Sequence, residues 1–272
     1  MGMNAEPPEL RQQRAGSFGS VAEQYDRFRP GPAPSVVDWL LPAGAQRVVD
    51  LGAGTGALTR LLVGRVREVI AVEPDTRMRE VLTAKVPRAV VIDGRGDKMP
   101  LDDASVDAVL VSSAWHWMDS DSTVFEVARV LHPRGGLGVV WSGVDWRGGW
   151  LADMRRRAFA AAATAAGTGT GRLGGIHAVE ASRPERALRL TDGAPFGPPE
   201  HELVHWHQDL SADQLVGMLG TYSRVILLPD EQRRLLADEA RRLLREQAGL
   251  EASATVKVPF RGECWRAART GD

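Results

Sequence analysis

Apolar residues in the first half of the chain fall into short unbroken runs separated by helical repeats. RVVDL (47–51), EVIAVEP (68–74), AVVID (89–93), VDAVLVSSA (106–114) and GGLGVVWSG (135–143) have the character of strands buried on both faces. Between them, TGALTRLLV (55–63), DTRMREVLTAKV (75–86, Asp75 as N-cap) and DSTVFEVARVL (121–131) space their apolar residues as helices. A short helix over 35–41 ends near Pro42. Strand alternating with helix predicts an α/β fold built of βαβ units. The sheet is mostly parallel and Rossmann-like, with right-handed crossovers and helices on both faces.

After Gly143 the pattern changes. Residues 150–167 read as a helix, and GTGTGRLGG (167–175) is too glycine-rich to pack, so a mobile lid is expected there. HELVHWHQDL (201–210) alternates as a strand. SADQLVGML (211–219) reads as a capped helix, and 229–249 as a strongly amphipathic helix stopped by Gly249. ATVKVPFRGECWRA (254–267) closes the chain as a strand. Four regions follow: a tail and helix (1–34), a core (35–143), an insertion or lid (144–200), and C-terminal strands (201–272) carrying a helical cap (211–249). Residues 1–17, polar with Pro7 and Pro8, read as a frayed tail.

Composition narrows the partners. Formal net charge is −1, with 34 Lys and Arg against 35 Asp and Glu, so nothing favours a nucleic acid. The single cysteine, Cys264, excludes an intramolecular disulfide and suits a reducing cytoplasm. The N-terminus has no secretory h-region, and no apolar run approaches the roughly 20 residues needed to span a bilayer. The expected setting is cytoplasmic, with no membrane partner.

The glycines of VVDLGAGTGALT (48–59) carry the chemistry. Gly52, Gly54 and Gly56 follow a strand and open a helix, where glycine permits a tight turn and close approach of a ligand. Glu73 ends the next strand, where a carboxylate can accept from both ribose hydroxyls. With Ala57 as its last member the string also fits a dinucleotide loop, so these residues alone indicate an adenosine-type ligand. Asp50, just before the glycines, can meet a cationic or amine-bearing group.

The later motifs separate the two readings. In order, VVDLGAGTG, VIAVEPD, GRGDKMPLDDASVDAV, SSAWHWMD and LHPRGGLGVV resemble a class I S-adenosylmethionine-dependent methyltransferase. YDRFRPGPAP, from Tyr25, most resembles the small-molecule branch that includes trans-aconitate-methyltransferase-like enzymes. The match covers about residues 20 to 143, and ECWRA extends it. The resemblance implies a seven-stranded, mostly parallel sheet with an antiparallel last strand. It also implies S-adenosylmethionine as cofactor, S-adenosylhomocysteine as product and a small-molecule methyl acceptor.

Site roles follow from the resemblance. Gly52, Ala53, Gly54 and Gly56 line the methionine moiety, with Asp50 near its amino group. Glu73 holds the ribose, and Pro74 and Asp75 flank the adenine, which Gly96 and Asp97 frame. Many relatives carry Asp where this chain has Arg95, so the adenine-amine contact passes to Asp97 or a backbone carbonyl. Ser112 and Ser113 lie near the methionine end, and Tyr25 and Arg29 close over the cofactor.

Trp115, His116 and Trp117 leave the fourth strand beside the expected methyl group. His116 is the candidate catalytic base, since imidazole titrates near neutral pH; its other reading is a group that only lines the site. Trp141, Trp146 and Arg224 are candidates for the acceptor pocket. No N/D-P-P-Y/F/W-type string follows strand four, against a nucleic-acid amino-methyltransferase. No carboxylate cluster for a catalytic metal can be assembled, against a metal-dependent catechol-type enzyme. The absence of an unmistakable catalytic base makes a non-methylating binding scaffold or cyclase on this fold the alternative function.

HELVH (201–205) matches the zinc-protease pattern H-E-x-x-H, which requires a helix. Its surroundings alternate as a strand, where His201 and His205 would stand roughly 13 Å apart, too far to share one tetrahedral ion. No metal is expected.

Overall fold

The computed structural model describes residues 16–147, 149–164, 187–248 and 255–271. The expected tail is therefore described only from Gly16, and the glycine-rich stretch 167–175 lies outside the described residues.

Seven strands form one sheet: β1 (Arg47–Leu51), β2 (Glu68–Val72), β3 (Val90–Ile92), β4 (Val106–Ser112), β5 (Leu131–Val144), β6 (Glu200–Ser211) and β7 (Thr255–Ala268). Their order is β3-β2-β1-β4-β5-β7-β6. Pairing is parallel from β3 through β5, and β7 runs antiparallel to both neighbours. This is the Rossmann-like, mostly parallel sheet with an antiparallel last strand.

Alternate residues of each run serve opposite faces. Val48, Ala108, Leu110 and Val140 pack against the Pro34–Leu40 and Ala57–Leu62 helices. Val49, Val109, Val111 and Val139 pack with Val124, Val127 and Val130 of the Ser120–Val130 helix. A third core lies at the β6–β7 end of the sheet. There Met154, Phe159, Leu215, Leu219 and Leu243, drawn from three helices, Gly149–Thr164, Ala212–Gly220 and Asp230–Ala248, are buried together with Phe260 of β7.

Two boundaries move for local reasons. The helix expected from 55 starts at Ala57, because Gly56 takes a left-handed φ of 89° that no helix can include. The second strand stops at Val72, leaving Glu73 and Pro74 on the loop beyond the sheet. The order reverses beside β1, where connections leave to opposite sides; ligands of open α/β sheets bind at such a switch point. HELVH lies inside β6, paired in register with β7 from Glu200↔Arg266 to Ser211↔Thr255.

Candidate functional site

A cleft of about 1420 Å³ opens at the carboxyl ends of β1, β2, β4 and β5. It exceeds the roughly 300–1,000 Å³ of ordinary ligand pockets, so it has room for two molecules side by side.

The glycine loop forms one wall. Amides of Gly52 and Ala53 both donate to the Val72 carbonyl, at 2.8 and 3.1 Å, which turns the chain sharply off β1. Gly52 and Gly54 take φ of 70° and 57°. A Cβ on Gly52 would lie 2.6 Å from Cβ of Ala114, so that glycine is needed for packing. A Cβ on Gly54 would meet no protein atom within 4 Å; since Gly54 lines the cleft, glycine there keeps the backbone open to an occupant. Gly56 lines no part of the cleft, because its αL backbone turns it toward Leu82 and Val86.

Glu73 is the most buried of the described acids that line the cleft. Its Oε2 accepts the Gly54 amide at 2.9 Å and its Oε1 the Asp75 amide at 3.0 Å. Only 8% of the residue is exposed. Burial raises its pKa, and the two amides, with Arg79, work against that rise. Each carboxylate oxygen keeps a second lone pair for a ligand hydroxyl. Pro74, Asp75, Gly96 and Asp97 continue the same wall. Asp75 caps its helix by accepting from the Arg77 and Met78 amides, and the Arg77 guanidinium holds its carboxyl below the usual range. Asp97 pairs with Arg95 at 3.2 Å.

Asp50 does not reach the main cleft. It is 1% exposed, lies behind the loop and accepts the Thr59 hydroxyl at 2.6 Å. Burial pushes its pKa up to about 7, opposed by Thr59 and reinforced by Glu73. Asp50 and Ala53 instead line a small recess shared with Tyr25, Arg29, Ser112 and Ser113. Those last four residues also line the cleft. Ser113 turns off β4 with φ 56°.

The far wall is aromatic. His116, Trp117, Trp141, Trp146 and Arg224 line it, whereas Trp115 is buried in the core beside Val124 and Val139. Trp141 donates from Nε1 to Nδ1 of His116 at 3.2 Å. Arg29 lies 4.9 Å over the Tyr222 ring, and Trp146 donates to the Tyr222 hydroxyl at 3.3 Å. Tyr222, Arg155, Phe159 and the Arg261–Glu263 ion pair line this wall without any motif to announce them. Their one sequence signal is Arg155, a charge inside an apolar helical stripe.

The N-terminal segment lies against three elements. The Gly19 backbone fits against the Asp75 and Arg77 side chains, Gly31 against Ala57, and Phe28 fills the gap left by Gly217.

An open glycine, a buried carboxylate with lone pairs to spare and a carboxylate-rich end fit a nucleoside ligand carrying positive charge. Fold and site together define a class I methyltransferase. The model for the methyltransferase domain matches residues 49–139. An uncharacterized methyltransferase of Mycobacterium tuberculosis is 39% identical over 251 residues, covering 92% of this chain and 95% of the relative. A methyltransferase-like protein of Schizosaccharomyces pombe is 26% identical over 224 residues, covering 80% and 81%. The chain belongs to the methyltransferase family, and S-adenosylmethionine is its cofactor. The dinucleotide reading of the glycine loop falls with that result.

Solved structures agree on the fold. A type II methyltransferase candidate from Anaeromyxobacter dehalogenans superposes with TM-score 0.62 at 22% identity, covering 89% of this chain and 98% of that one. Haemonchus contortus phosphoethanolamine N-methyltransferase 2, solved with phosphomonomethylethanolamine and S-adenosylhomocysteine, gives TM-score 0.51 at 15% identity, covering 98% and 61%. Among the described residues no helix is long and apolar enough to cross a membrane.

Proposed function

We propose that this methyltransferase modifies a small molecule, by O- or C-methylation, in the manner of the trans-aconitate-methyltransferase-like branch it resembles. The observation that carries the reading is the cleft itself: a polar, carboxylate-bearing wall around Glu73 faces an aromatic wall around Trp141 and Trp146 in one cavity. A cavity of that depth suits a compact acceptor, and the net charge of −1 gives no footing for a polyanion. A cytoplasmic setting goes with this reading.

When bound, the cofactor supplies a methyl group on positively charged sulfur, open to in-line displacement. The chain's residues have three tasks around it. Glu73 holds the ribose hydroxyls, with Pro74, Gly96 and Asp97 shaping the nucleoside end and Gly54 lining the methionine moiety. Asp50, through the recess by Ser112 and Ser113, attracts the amino end. Tyr25 and Arg29, on the N-terminal segment, shield the cofactor from water and bring reactants within about 3–3.5 Å.

His116 lines the methyl end. With Nδ1 accepting from Trp141, the proton of the neutral ring sits on Nε2. The ring can then donate to an acceptor oxygen and orient it. A carboxylate or phenolate acceptor needs no base; a hydroxyl would need another group.

Incubation with methyl-labelled S-adenosylmethionine and a fractionated metabolite pool tests the proposal. Label in a low-mass product supports it. Label found only in protein or nucleic acid would refute it.

A further inference from the structure

We propose that β6 is a dimerisation edge. Two copies of this chain pair their β6 strands antiparallel about a two-fold axis at His205, so that one sheet runs through both. The proposal stands on the fold and does not depend on what the cleft transfers.

The sheet ends differently at its two edges. At one edge β3 is three residues long, Val90–Ile92. So short an edge gives another chain little to pair with. At the other edge β6 runs for twelve residues and pairs with β7 at every position from Glu200 to Ser211, with no bulge. Among the described residues nothing pairs with its outer side. EHELVHWHQDLS contains no proline and no lysine, the residues that commonly blunt an edge. A long, regular row of amides and carbonyls therefore faces outward.

The strand is complementary to itself. His201, Leu203, His205, His207 and Asp209 share one face, and the even-numbered residues share the other. A two-fold axis perpendicular to the sheet at His205 keeps these faces and makes every other pair occur twice. In that register His201 faces Asp209 of the second copy, and Leu203 faces its His207. Val204 faces Trp206, and Glu202 faces Gln208. Pairs of opposite charge and of β-branched with aromatic residues are among the favourable cross-strand contacts, and no acid meets an acid. Asp209 is free to serve, since its ion pair with Lys257 leaves its side chain 58% exposed. Leu203, 36% exposed in the single chain, gains cover. Sliding the second strand to the next register on either side sets His201 against His207, or Asp209 against Leu203, and no acid then meets a histidine.

The size is adequate. Alternate opposed pairs exchange two hydrogen bonds each, so a ladder from Glu200 to Leu210 makes roughly ten, as many as an ordinary protein interface carries. His205 is the register partner of Arg261 on β7, and Arg261 lines the cleft. The axis therefore lies one strand from the cleft wall.

Sedimentation equilibrium of the full chain between about 1 and 100 µM tests the proposal. Wild type is expected to pass reversibly from monomer to dimer in that range. His201→Glu combined with His205→Glu places acid against acid at the axis and at both Asp209 pairs. His205→Lys combined with Asp209→Lys places positive charges together at the axis. Each variant alone should associate at least about tenfold more weakly. Mixed in equal amounts they should associate at least as tightly as wild type, because the altered positions then face opposite charges. Hydrogen exchange on wild type needs no substitution: outward amides of residues 200–210 should gain protection as the concentration rises. A variant that melts well below wild type is set aside, and exchange alone then decides. Wild type monomeric throughout, a dimer whose β6 amides exchange as in the monomer, an acidic variant that associates like wild type, or a mixture of well-folded variants that does not recover association would each overturn the proposal.

Discussion

Trp141 holds Nδ1 of His116 through its indole N–H at 3.2 Å, so the most obvious base of the cleft already has its acceptor nitrogen engaged. His116→Asn keeps an acceptor for Trp141 but removes the titrating ring. We expect kcat/KM to fall by no more than about tenfold, against the roughly 10²–10⁴ lost when a general base is removed. The acidic limb of the pH–rate profile should also be unchanged. A loss of about a thousandfold, with that limb abolished, would make His116 the base.

Gly54 separates binding from folding. Its Cβ position is empty of protein atoms, so Gly54→Ala meets only the cost of a left-handed backbone, about 1 kcal/mol. Affinity for S-adenosylhomocysteine should fall by more than about tenfold, because the methyl group enters the cleft. Gly52→Ala should behave differently, losing stability first, since its Cβ would overlap Ala114. Thermal melts and titrations of the two variants, run in parallel, check the contrast.

Asp50 makes stability depend on pH. Its folded pKa is about 7 against an ordinary value of 3.8. Between those values the folded protein holds a proton that the unfolded chain has released. Stability therefore declines as pH rises from about 4 to about 7 and levels off above that range. Asp50→Asn should flatten the decline measured by thermal melts and leave the variant the more stable protein at about pH 8. Glu73 is shifted in the same direction, so some slope should persist. Parallel curves for the two proteins would contradict the assignment.

Glu73 ties the loop to the site. Glu73→Ala leaves the Gly54 and Asp75 amides without their acceptor, at about 1–3 kcal/mol for each buried donor. Both Tm and cofactor affinity should fall. Glu73→Gln should recover part of the stability and less of the affinity, since only one amide oxygen remains.

Most of the sheet was legible because buried strands and amphipathic helices write different periods into a sequence. Alternation around HELVH placed it on a strand, and β6 runs through it. The convergence of Gly52, Gly54, Glu73 and Gly96 on one cleft was legible too, since they follow strands in a fixed order. Trp115 was harder: its neighbours His116 and Trp117 line the cleft, but a tight 3₁₀ turn sends its ring into the core. Asp50 ends behind the loop because β1 is covered on both faces at that point. The aromatic wall was least legible. Trp141, Arg155, Tyr222 and Glu263 come from four separate elements, and only the antiparallel return of β7 beside β5 brings Glu263 opposite Trp141.

Cofactor binding is the event on which every proposed residue role in the cleft depends. Calorimetric titration of the full chain with S-adenosylmethionine, and separately with S-adenosylhomocysteine, tests it most directly. Saturable one-to-one binding of both ligands, weakened by at least about tenfold in Glu73→Gln, is the predicted result. No heat of binding from either ligand at millimolar concentration, or equal affinity in Glu73→Gln, would contradict it.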